Sequence, residues 1–380
     1  MSKLKLMTII GTRPEIIRLA AVIKKCDKYF DQILVHTGQN YDYELNQVFF
    51  DDLGLRAPDF YLDAVGADLG ETIGNIIAKS YKLMVEQKPD ALLILGDTNS
   101  CLSAISAKRL HIPIFHMEAG TRCFDECLPE ETNRRIVDHI ADVNLCYSEH
   151  ARRYLNYEGT AKERTYVTGS QMAEVLHENL EQIKSSDILS RLGLEKGKYI
   201  LLSAHREENI DTEQNFFNLM NAVNAMAEKY DMPILYSCHP RSAKFIAQRG
   251  FVFDKRVIQN KPLGFHDYNN LQMNAFAVVS DSGTLPEESS FFLSVGNPFP
   301  AVCIRTSTER PEALDKGNFI LAGITTEQVL QAVDTAVEMN RSEDFGIPVP
   351  NYTDENVSTK VVKLIQSYTG VVNKMVWRKY

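Results

Sequence analysis

The chain has 380 residues, and its 41 basic and 50 acidic side chains give it a formal net charge of −9. Since a domain usually has about 100–200 residues, this length predicts two or three domains. Hydrophobic residues make up 44% of the chain and charged residues 24%, which indicates a globular protein with a sizeable core and excludes a disordered chain. The acidic balance argues against broad binding to nucleic acid or to an anionic membrane, so we expect neither as a partner.

The amino-terminal residues lack the features of an export signal. Their apolar run is too short and no small-residue cleavage site follows it. No stretch approaches the roughly 18–20 apolar residues needed to cross a bilayer, so we expect a cytoplasmic protein. The seven cysteines are scattered, which predicts reduced thiols. Cys123 and Cys127 have no second Cys/His pair at a zinc-site spacing, so we expect no metal.

The predicted strands are short and rich in β-branched residues, and longer helical patterns separate them. In chain order the predicted strands are Lys5–Ile10, Ile33–Thr37, Ala91–Leu95, Ile114–Glu118, Val143–Tyr147, Tyr199–Ala204, Ile234–His239, Arg256–Gln259, Ala277–Ser280 and Ala301–Arg305. Helical patterns between the first of them include Glu15–Lys25, Leu69–Glu86 and Ser100–Leu110. Strands separated by helices predict parallel sheets, and near-continuous apolar strands predict sheets covered on both faces.

We therefore predict an α/β protein with two Rossmann-like, doubly wound parallel-sheet domains that face a central cleft. The first domain is predicted to span residues 1–177. A polar linker is predicted over 178–198, and the second domain over 199–360, before a C-terminal helix at 361–380. Because ligands of open α/β sheets bind outside the carboxyl ends of the strands, polar residues that follow strands are the candidate site residues.

A glycine-containing string follows the first predicted strand. Gly11-Thr-Arg-Pro-Glu combines a glycine that permits close backbone approach, Pro14 at a helix N1 position, and Arg13 beside that helix N-terminus. A helix N-terminus and a guanidinium group together form a phosphate site. The alternative is a capped helix with Arg13 in solvent.

The second half repeats this arrangement in Asp281-Ser-Gly-Thr-Leu-Pro-Glu-Glu. Ser282 and Gly283 can present a hydroxyl and backbone N–H groups, and Glu288, one turn into the next helix, can accept hydrogen bonds from ribose hydroxyls. The same string is also a good helix cap. Upstream, Tyr268 can stack on a base, although an aromatic residue in such a loop more often serves packing.

Three carboxylates, Asp97, Glu118 and Glu130, lie at successive strand ends or in the following loop. Carboxylates that converge in one cleft can have their pKa values pushed apart, so that one is protonated while another is ionised. General acid–base chemistry at carbon needs such an arrangement. The alternative is ion pairing with three nearby arginines, Arg122, Arg134 and Arg135.

Histidines follow two strands of the second half. His205, in Ala204-His-Arg-Glu-Glu-Asn, can hydrogen-bond a leaving phosphate or transfer a proton. His239 and Arg310 are candidates of the same kind. For each of them a purely structural role is the alternative. The glycine fingerprint of dinucleotide-binding domains and the P-loop string are both missing, so we expect no cofactor.

Eight strings run through nearly the whole chain: Gly11-Thr-Arg-Pro-Glu, Thr37-Gly-Gln, Gly96-Asp-Thr, His116-Met-Glu-Ala-Gly, Pro129-Glu-Glu-Thr-Asn-Arg, Ala204-His-Arg-Glu-Glu-Asn, Asp281-Ser-Gly and Thr308-Glu-Arg-Pro-Glu. In this order they resemble the non-hydrolysing UDP-N-acetylglucosamine 2-epimerase family. Four more strings resemble its capsule and O-antigen branch, which forms UDP-N-acetyl-L-fucosamine: Gly38-Gln-Asn-Tyr-Asp-Tyr-Glu-Leu-Asn, Arg122-Cys-Phe-Asp, Lys261-Pro-Leu-Gly-Phe-His-Asp-Tyr-Asn and Ser289-Ser.

The resemblance implies a GT-B-like fold whose C-terminal helix returns to the N-terminal domain. The implied reaction inverts C2 of UDP-2-acetamido-2,6-dideoxy-L-talose and gives UDP-N-acetyl-L-fucosamine. UDP is eliminated across C1–C2 to leave a 2-acetamidoglycal, and UDP then adds back while a proton reaches the other face of C2. No nicotinamide is needed. The expected partners are a UDP-sugar substrate and, in a homodimer, a second copy of the chain.

The resemblance also assigns roles to individual residues. Asp97, Glu118 and Glu130 match the acid–base carboxylates, and His205 matches the essential histidine. The substrate- and UDP-binding residues that we expect are Arg13, Arg18, Arg206, His239, Tyr268, Ser282, Gly283, Glu288 and Arg310. Within this set, Arg18 replaces the lysine of epimerases that act on UDP-N-acetylglucosamine.

Some residues depart from the family pattern. Asn40 replaces a histidine through which a second substrate molecule can activate family members, and Phe291–Pro300 is longer than the usual loop. Thr121 and Gln171 differ from the branch pattern.

Three alternative functions remain beside the implied reaction. They are an epimerase acting on UDP-N-acetylglucosamine itself, a GT-B glycosyltransferase, and a non-catalytic UDP-sugar sensor.

Overall fold

The computed structural model describes residues 2–38, 43–126 and 128–379, without the side chains of residues 43–47. It divides into two compact units, here called the first and the second domain. The first domain comprises Met1–His177 and Pro350–Tyr380, and the second comprises Glu178–Val349. Each domain contains one parallel sheet with helices between its strands. The predicted fold class, two doubly wound α/β domains, is confirmed.

The first domain is built on a seven-stranded parallel sheet in the order β3-β2-β1-β4-β5-β6-β7. Its strands are β1 (Lys5–Ile10), β2 (Asp31–His36), β3 (Phe60–Tyr61), β4 (Ala91–Leu95), β5 (Ile114–Met117), β6 (Val143–Cys146) and β7 (Thr165–Val167). The central strands are buried along their length, as expected for a sheet covered by helices on both faces.

Before the chain enters the second domain, the described helices of the first are α1 (Arg13–Tyr29), α2 (Tyr43–Asp52), α3 (Leu69–Gln87), α4 (Ala104–Arg109), α5 (Pro129–Ile140), α6 (Glu149–Tyr157) and α7 (Met172–Glu178). Two 3₁₀ helices, Asn99–Ser103 and Lys162–Arg164, complete the connections. Capping follows the local sequence. For example, the Asp68 side chain accepts a hydrogen bond from the Glu71 N–H at the start of α3.

The second domain has a six-stranded parallel sheet in the order β10-β9-β8-β11-β12-β13. Its strands are β8 (Ile200–Ser203), β9 (Ile234–Ser237), β10 (Val257–Asn260), β11 (Ala277–Ser280), β12 (Ala301–Cys303) and β13 (Ile320–Leu321). Its helices are α8 (Leu180–Ser185), α9 (Ile188–Leu192), α10 (Glu207–Ile210), α11 (Glu213–Tyr230), α12 (Pro240–Gln248), α13 (Phe265–Asn274), α14 (Leu285–Ser294), α15 (Pro311–Leu314) and α16 (Thr326–Arg341).

The region predicted as a linker, 178–198, contains α8 and α9 and belongs to the second domain. Its polar composition suggested a linker, but Ile183 and Ile188 are buried in the second domain. The Asn270 side chain on α13 also donates a 2.8 Å hydrogen bond to the Ile183 carbonyl. Two buried isoleucines and this bond hold the segment against α13.

The end of the chain returns to the first domain earlier than predicted. The second domain ends at Val349, not at residue 360, and α17 (Val357–Met375) packs against α1. The buried Glu174 carboxylate of α7 accepts a 2.7 Å hydrogen bond from the Ser358 N–H in the first turn of α17. A carboxylate at a helix N-terminus satisfies N–H groups that have no partner within the helix. No helix in the described part of the chain is long and apolar enough to span a membrane.

Three short strands, β3, β7 and β13, were not predicted, since two or three residues carry no readable alternation. Several predicted strands also extended one or two residues too far, into the loops that follow them. In the segment Phe291–Pro300, the first four residues form the end of α14, and Phe291 and Phe292 are buried.

His36 ends β2 and is buried in its neutral form. Its Nδ1 atom accepts a 2.9 Å hydrogen bond from the Gly38 N–H, which only an unprotonated nitrogen can do. Its Nε2 atom is buried and has no hydrogen-bond partner among the described residues. Burial lowers the pKa of His36 from 6.5 to about 4.

This lowered pKa predicts a pH-dependent loss of stability. Because His36 takes up its proton near pH 6.5 in the unfolded chain and near pH 4 in the folded one, its contribution is present above pH 6.5 and is lost as the pH falls through about 4. Between these values the free energy of unfolding should fall by roughly 2–3 kcal/mol more in the wild type than in His36→Asn. Denaturant unfolding followed by the fluorescence of Trp377, the only tryptophan, measures this difference. An equal loss in both proteins would contradict the assignment.

Candidate functional site

The candidate residues of the first domain lie after neighbouring strands. β1, β4 and β5 are adjacent in the sheet, so the loops that follow them share one edge. Asp97 follows β4 and Glu118 follows β5, while Arg18 lies on α1, which begins after β1. The structure therefore brings these three side chains to the same edge of the first sheet.

Asp97 is held by α5. The Arg134 Nε atom lies 3.0 Å from Asp97 Oδ2, and Arg134 Nη2 contacts the same oxygen. The Asn133 side chain donates a 2.9 Å hydrogen bond to the Asp97 carbonyl. The Asp97 side chain retains 19% exposure. The ion pair with Arg134 is thus present, and it orients a carboxylate that solvent still reaches.

Glu118 is held from a different direction. Arg18 Nη1 lies 2.5 Å from Glu118 Oε2, and the side chain of Glu118 is only 7% exposed. The Tyr147 hydroxyl lies 3.5 Å from the same oxygen and itself accepts a 2.8 Å hydrogen bond from the Gln171 amide. Glu118 has a φ of +64°, in the left-handed region. This turn aims its side chain toward Gly96, where a Cβ atom would lie 3.1 Å from Glu118 Oε2.

Glu130 lies in the first turn of α5 and is half-buried. Because residues four apart share a helix face, Glu130, Arg134 and Asp138 line one face of α5. Glu130 is thus one turn from the arginine that holds Asp97. The other two arginines considered as partners bind elsewhere: Arg122 pairs with Asp138 and Glu158, and Arg135 pairs with Glu126 and Glu131.

Arg13 is the first residue of α1, and its guanidinium lies 5.9 Å from the Phe49 ring centre. The neighbouring Glu15 carboxylate is buried and accepts hydrogen bonds from the Gly11 N–H at 3.0 Å and the Thr12 hydroxyl at 2.8 Å. It also accepts one from Ser100. Burial raises the pKa of Glu15, although these donors oppose the rise. Sequence reasoning missed this residue, which joins the loops after β1 and β4.

In the second domain, Asp281 organises the loop after β8. Its buried Oδ2 atom accepts 2.8 Å hydrogen bonds from the N–H groups of His205 and Arg206, and a 3.1 Å bond from Asn209. The His205 Nδ1 atom lies 3.3 Å from Asp281 Oδ1. The ring of His205 stacks on that of His239 with the ring centres 5.6 Å apart. The structure therefore brings His205, Arg206 and His239 together.

His239 caps α12, where its Nδ1 atom accepts a hydrogen bond from the Arg241 N–H. This bond leaves the proton of a neutral His239 on Nε2. The histidine therefore has a structural role at the helix N-terminus, as well as its place beside His205.

Ser282 and Gly283 precede α14, and the Ser282 hydroxyl shares a 2.9 Å hydrogen bond with Thr284. Glu288, on α14, is buried and accepts a 2.6 Å hydrogen bond from Gln272. Tyr268 lies on α13, near Ser280, Ser203 and Glu288. Burial, reinforced by the charge of Glu288, raises the pKa of Tyr268.

Arg310 forms a buried ion pair in the second domain. Its Nε and Nη2 atoms lie 3.1 and 3.0 Å from Glu287 Oε1, and both side chains are almost fully buried. Arg206 Nη1 is 3.9 Å from Glu309 Oε1, in a looser pair. Glu309 is also bound by the buried Arg305 at 2.6 Å.

In the described ranges no group of three or more His, Cys, Asp or Glu side chains is arranged to hold a metal ion. Cys123 has its sulfur 3.3 Å from Glu131 Oε2. Cys127 and Asn40, which the sequence analysis singled out, lie outside the described residues.

The contribution of Arg134 to the free energy of unfolding can be measured by substitution. Arg134→Gln leaves the carboxylate of Glu131, which is 1% exposed, without the partner at 2.9 Å and also removes the cation from Asp97. We expect the free energy of unfolding of the first domain to fall by about 3 kcal/mol. The control is Arg152→Gln, which removes an exposed pair with Glu149 and should cost less than about 0.5 kcal/mol. Equal effects in a denaturant titration would contradict the buried pair's importance.

Comparisons with known proteins bear on both domains. The profile of the family described as UDP-N-acetylglucosamine 2-epimerase matches residues 24–366. The solved structure of UDP-N-acetylglucosamine 2-epimerase from Rickettsia bellii is 46% identical, with a TM-score of 0.90, over 99% of this chain and 100% of that one.

The Methanocaldococcus jannaschii UDP-GlcNAc 2-epimerase, solved with UDP-GlcNAc and UDP, is 29% identical, with a TM-score of 0.88, over 96% of this chain and 99% of that one. The UDP-2,3-diacetamido-2,3-dideoxy-D-glucuronate 2-epimerase of Pseudomonas aeruginosa is 30% identical over 90% of this chain and 94% of its own length. The chain therefore belongs to the UDP-N-acetylglucosamine 2-epimerase family.

Proposed function

We propose that this protein inverts C2 of a UDP-2-acetamido sugar by eliminating UDP and adding it back. The single observation that carries the proposal is the pair of oriented carboxylates at the edge of the first sheet. Asp97 is bound by Arg134, Glu118 is bound by Arg18, and their side chains are only 19% and 7% exposed. Proton transfer at carbon needs positioned acid–base groups in a partly shielded site, which this geometry supplies.

The electron balance of the reaction assigns the steps. A carboxylate takes the C2 proton, the C2–H electron pair forms the C1=C2 bond, and the C1–O electron pair leaves with UDP. In the return step a UDP oxygen bonds to C1 while the C1=C2 pair takes a proton on the opposite face of C2. Asp97, Glu118 and Glu130 exchange these protons. No step of this elimination and re-addition transfers a hydride, so the proposed mechanism needs no redox cofactor.

UDP binding is assigned mainly to the second domain. His205, oriented by Asp281, would hydrogen-bond the leaving phosphate, and Ser282 and Gly283 would bind the diphosphate. For Arg13, the predicted contact with the diphosphate rests on the family resemblance. Arg206 and His239 flank His205 and are assigned to the same phosphate groups. The solved M. jannaschii relative, which holds UDP-GlcNAc and UDP, supports the choice of ligand.

Nucleoside binding uses groups that the structure already orients. Gln272 bonds one oxygen of Glu288, which fixes the carboxylate that would accept ribose hydroxyls. Tyr268, on the same helix as Gln272, would offer its ring to uracil. Arg310, held by Glu287, is assigned to the substrate as a further arginine.

For the substrate we propose UDP-2-acetamido-2,6-dideoxy-L-talose, converted into UDP-N-acetyl-L-fucosamine for capsule or O-antigen synthesis. The branch strings and Arg18 support this choice, since Arg18 stands where epimerases for UDP-N-acetylglucosamine have lysine. The alternative substrate is UDP-N-acetylglucosamine, which is supported by the 46% identity to the R. bellii protein of that name. The P. aeruginosa relative is named for a third UDP-sugar, so family membership does not choose among them.

Deuterium exchange tests the reaction and the substrate together. We expect the protein, incubated in D2O without NAD, to replace H2 of its substrate with deuterium and to form the C2 epimer with traces of UDP. Proton NMR of parallel reactions with the two candidate UDP-sugars measures both rates. Faster turnover of UDP-N-acetylglucosamine would overturn the substrate assignment. A lack of exchange with either sugar would overturn the epimerase proposal and favour a glycosyltransferase or a UDP-sugar sensor.

Two substitutions test the assigned roles. Asp97→Asn removes a proton acceptor and His205→Ala removes the phosphate partner, so each should lower kcat by about 10²–10⁴-fold. Arg152→Gln, an exposed change in the first domain, should leave kcat unchanged. Circular dichroism verifies that each variant is folded. Near-normal turnover in a folded variant would remove that residue from the mechanism.

A further inference from the structure

His116 lies on β5 and is fully buried. Its Nε2 atom is 2.7 Å from the Gly96 carbonyl oxygen, and its Nδ1 atom is 3.0 Å from Asp138 Oδ1. A carbonyl can only accept a hydrogen bond, and so can an ionised carboxylate. Both ring nitrogens of His116 therefore lie near oxygens that can only accept hydrogen bonds. The Nε2 contact is a hydrogen bond, whereas the Nδ1 contact has the distance of an ion pair without the angle of a hydrogen bond.

Asp138 is well suited to be the counter-ion. Its buried carboxylate also accepts a 2.7 Å bond from Arg122 Nη1, and both of its oxygens lie 3.2 Å from the Gly120 nitrogen. Burial alone would raise the pKa of Asp138, but the neighbouring His116 and Arg122 outweigh burial and lower it. Arg122 continues the network to Glu158 at 2.6 Å. Charges of opposite sign thus alternate through the network.

The two ends of this network lie at the two oriented carboxylates. The Gly96 carbonyl belongs to the peptide group that joins Gly96 to Asp97, so its bond to His116 fixes the plane from which Asp97 projects. The Gly120 N–H closes the turn that carries Glu118 in its left-handed conformation. His116 and Asp138 therefore hold the backbone beneath both carboxylates.

We propose that His116 is a positioning residue, held as an imidazolium between the Gly96 carbonyl and Asp138, that fixes the separation of the Asp97 and Glu118 carboxylates. The proposal rests on the proposed function, because this separation affects turnover only if these groups transfer protons. Asp138 and Arg134 lie one turn apart on α5, so one helix holds the backbone before Asp97 through His116 and the Asp97 side chain through Arg134.

Substitutions separate positioning from binding. The amide of His116→Gln can donate to the Gly96 carbonyl, but it cannot also supply a cation to Asp138. Displacement of a reacting group by about 1 Å costs up to about 100-fold in rate, so kcat should fall about 10–100-fold. The Kd for UDP, measured by calorimetry, should stay within about twofold, because the groups assigned to UDP lie mainly in the second domain. His139→Gln, an exposed change beside Asp138, is the matched control and should leave both values unchanged.

A double-mutant cycle tests whether His116 and Asp138 act as one unit. If they do, His116→Gln with Asp138→Asn should lower kcat no further than the more severe single change, within about twofold. Independent, multiplied losses would show that the two residues act separately and would overturn the counter-ion assignment. Normal kcat in folded His116→Gln would overturn the positioning role.

The protonation state has a readout that needs neither activity nor a variant that folds well. In protein labelled with ¹⁵N-histidine, wild-type His116 should show a directly bonded proton on each ring nitrogen at neutral pH. The signal is assigned by its loss in His116→Gln. One proton only would overturn the imidazolium even if the enzyme is active. If the wild type is inactive on every UDP-sugar tested, the proposed function fails. The NMR spectrum still shows whether His116 carries two ring protons, so the two failures can be distinguished.

Discussion

Pairing of buried charge is the constraint on which the first domain depends, because a carboxylate removed from water needs a cation or several donors. Asp97 and Glu118 come from neighbouring strands, and each is bound by an arginine from a different helix, Arg134 of α5 and Arg18 of α1. The positions of the two carboxylates therefore depend on how α5 and α1 pack against the sheet. A small rotation of either helix would separate a pair and leave a largely buried carboxylate without its cation.

The second domain meets the same requirement with other groups. Asp281 is bound by the backbone N–H groups of His205 and Arg206 and by the Asn209 amide, and among the described residues no guanidinium group donates a hydrogen bond to it. The charge of the buried Arg310 is balanced by Glu287. In the function that we propose, the groups of this domain that would attract a diphosphate include Arg206, whose pair with Glu309 is 3.9 Å long, and the N–H groups before α14. Both domains therefore hold buried charges in fixed ion pairs, and the second domain also binds the buried Asp281 carboxylate with neutral donors.

Much of this could be predicted from the sequence. β1, β4 and β11 have the predicted bounds because each is a short, mainly apolar run that is followed at once by a turn residue, Gly11, Gly96 or Asp281. The partners within the site could not be predicted, since Arg18 and Glu118 are 100 residues apart and only the sheet order brings them together. The left-handed backbone conformation at Glu118 could not be predicted, because the residue at that position is not a glycine. The sequence analysis looked for polar residues that follow a strand. His116 lies within a strand and Asp138 within a helix, so that search could not find them. The four-residue spacing of Glu130, Arg134 and Asp138 was the available clue.

The return of α17 to the first domain has a consequence for synthesis on the ribosome. The second domain is continuous in sequence, so all of its residues have been translated before α17 emerges from the exit tunnel. Until then α1 lacks the helix that packs on it, and the Glu174 carboxylate lacks the N–H groups of the first turn of α17. Vectorial translation therefore lets the second domain complete its fold first, although it comes later in the chain. The first domain closes last, and a chaperone that protects nascent chains would find its exposed surface on α1.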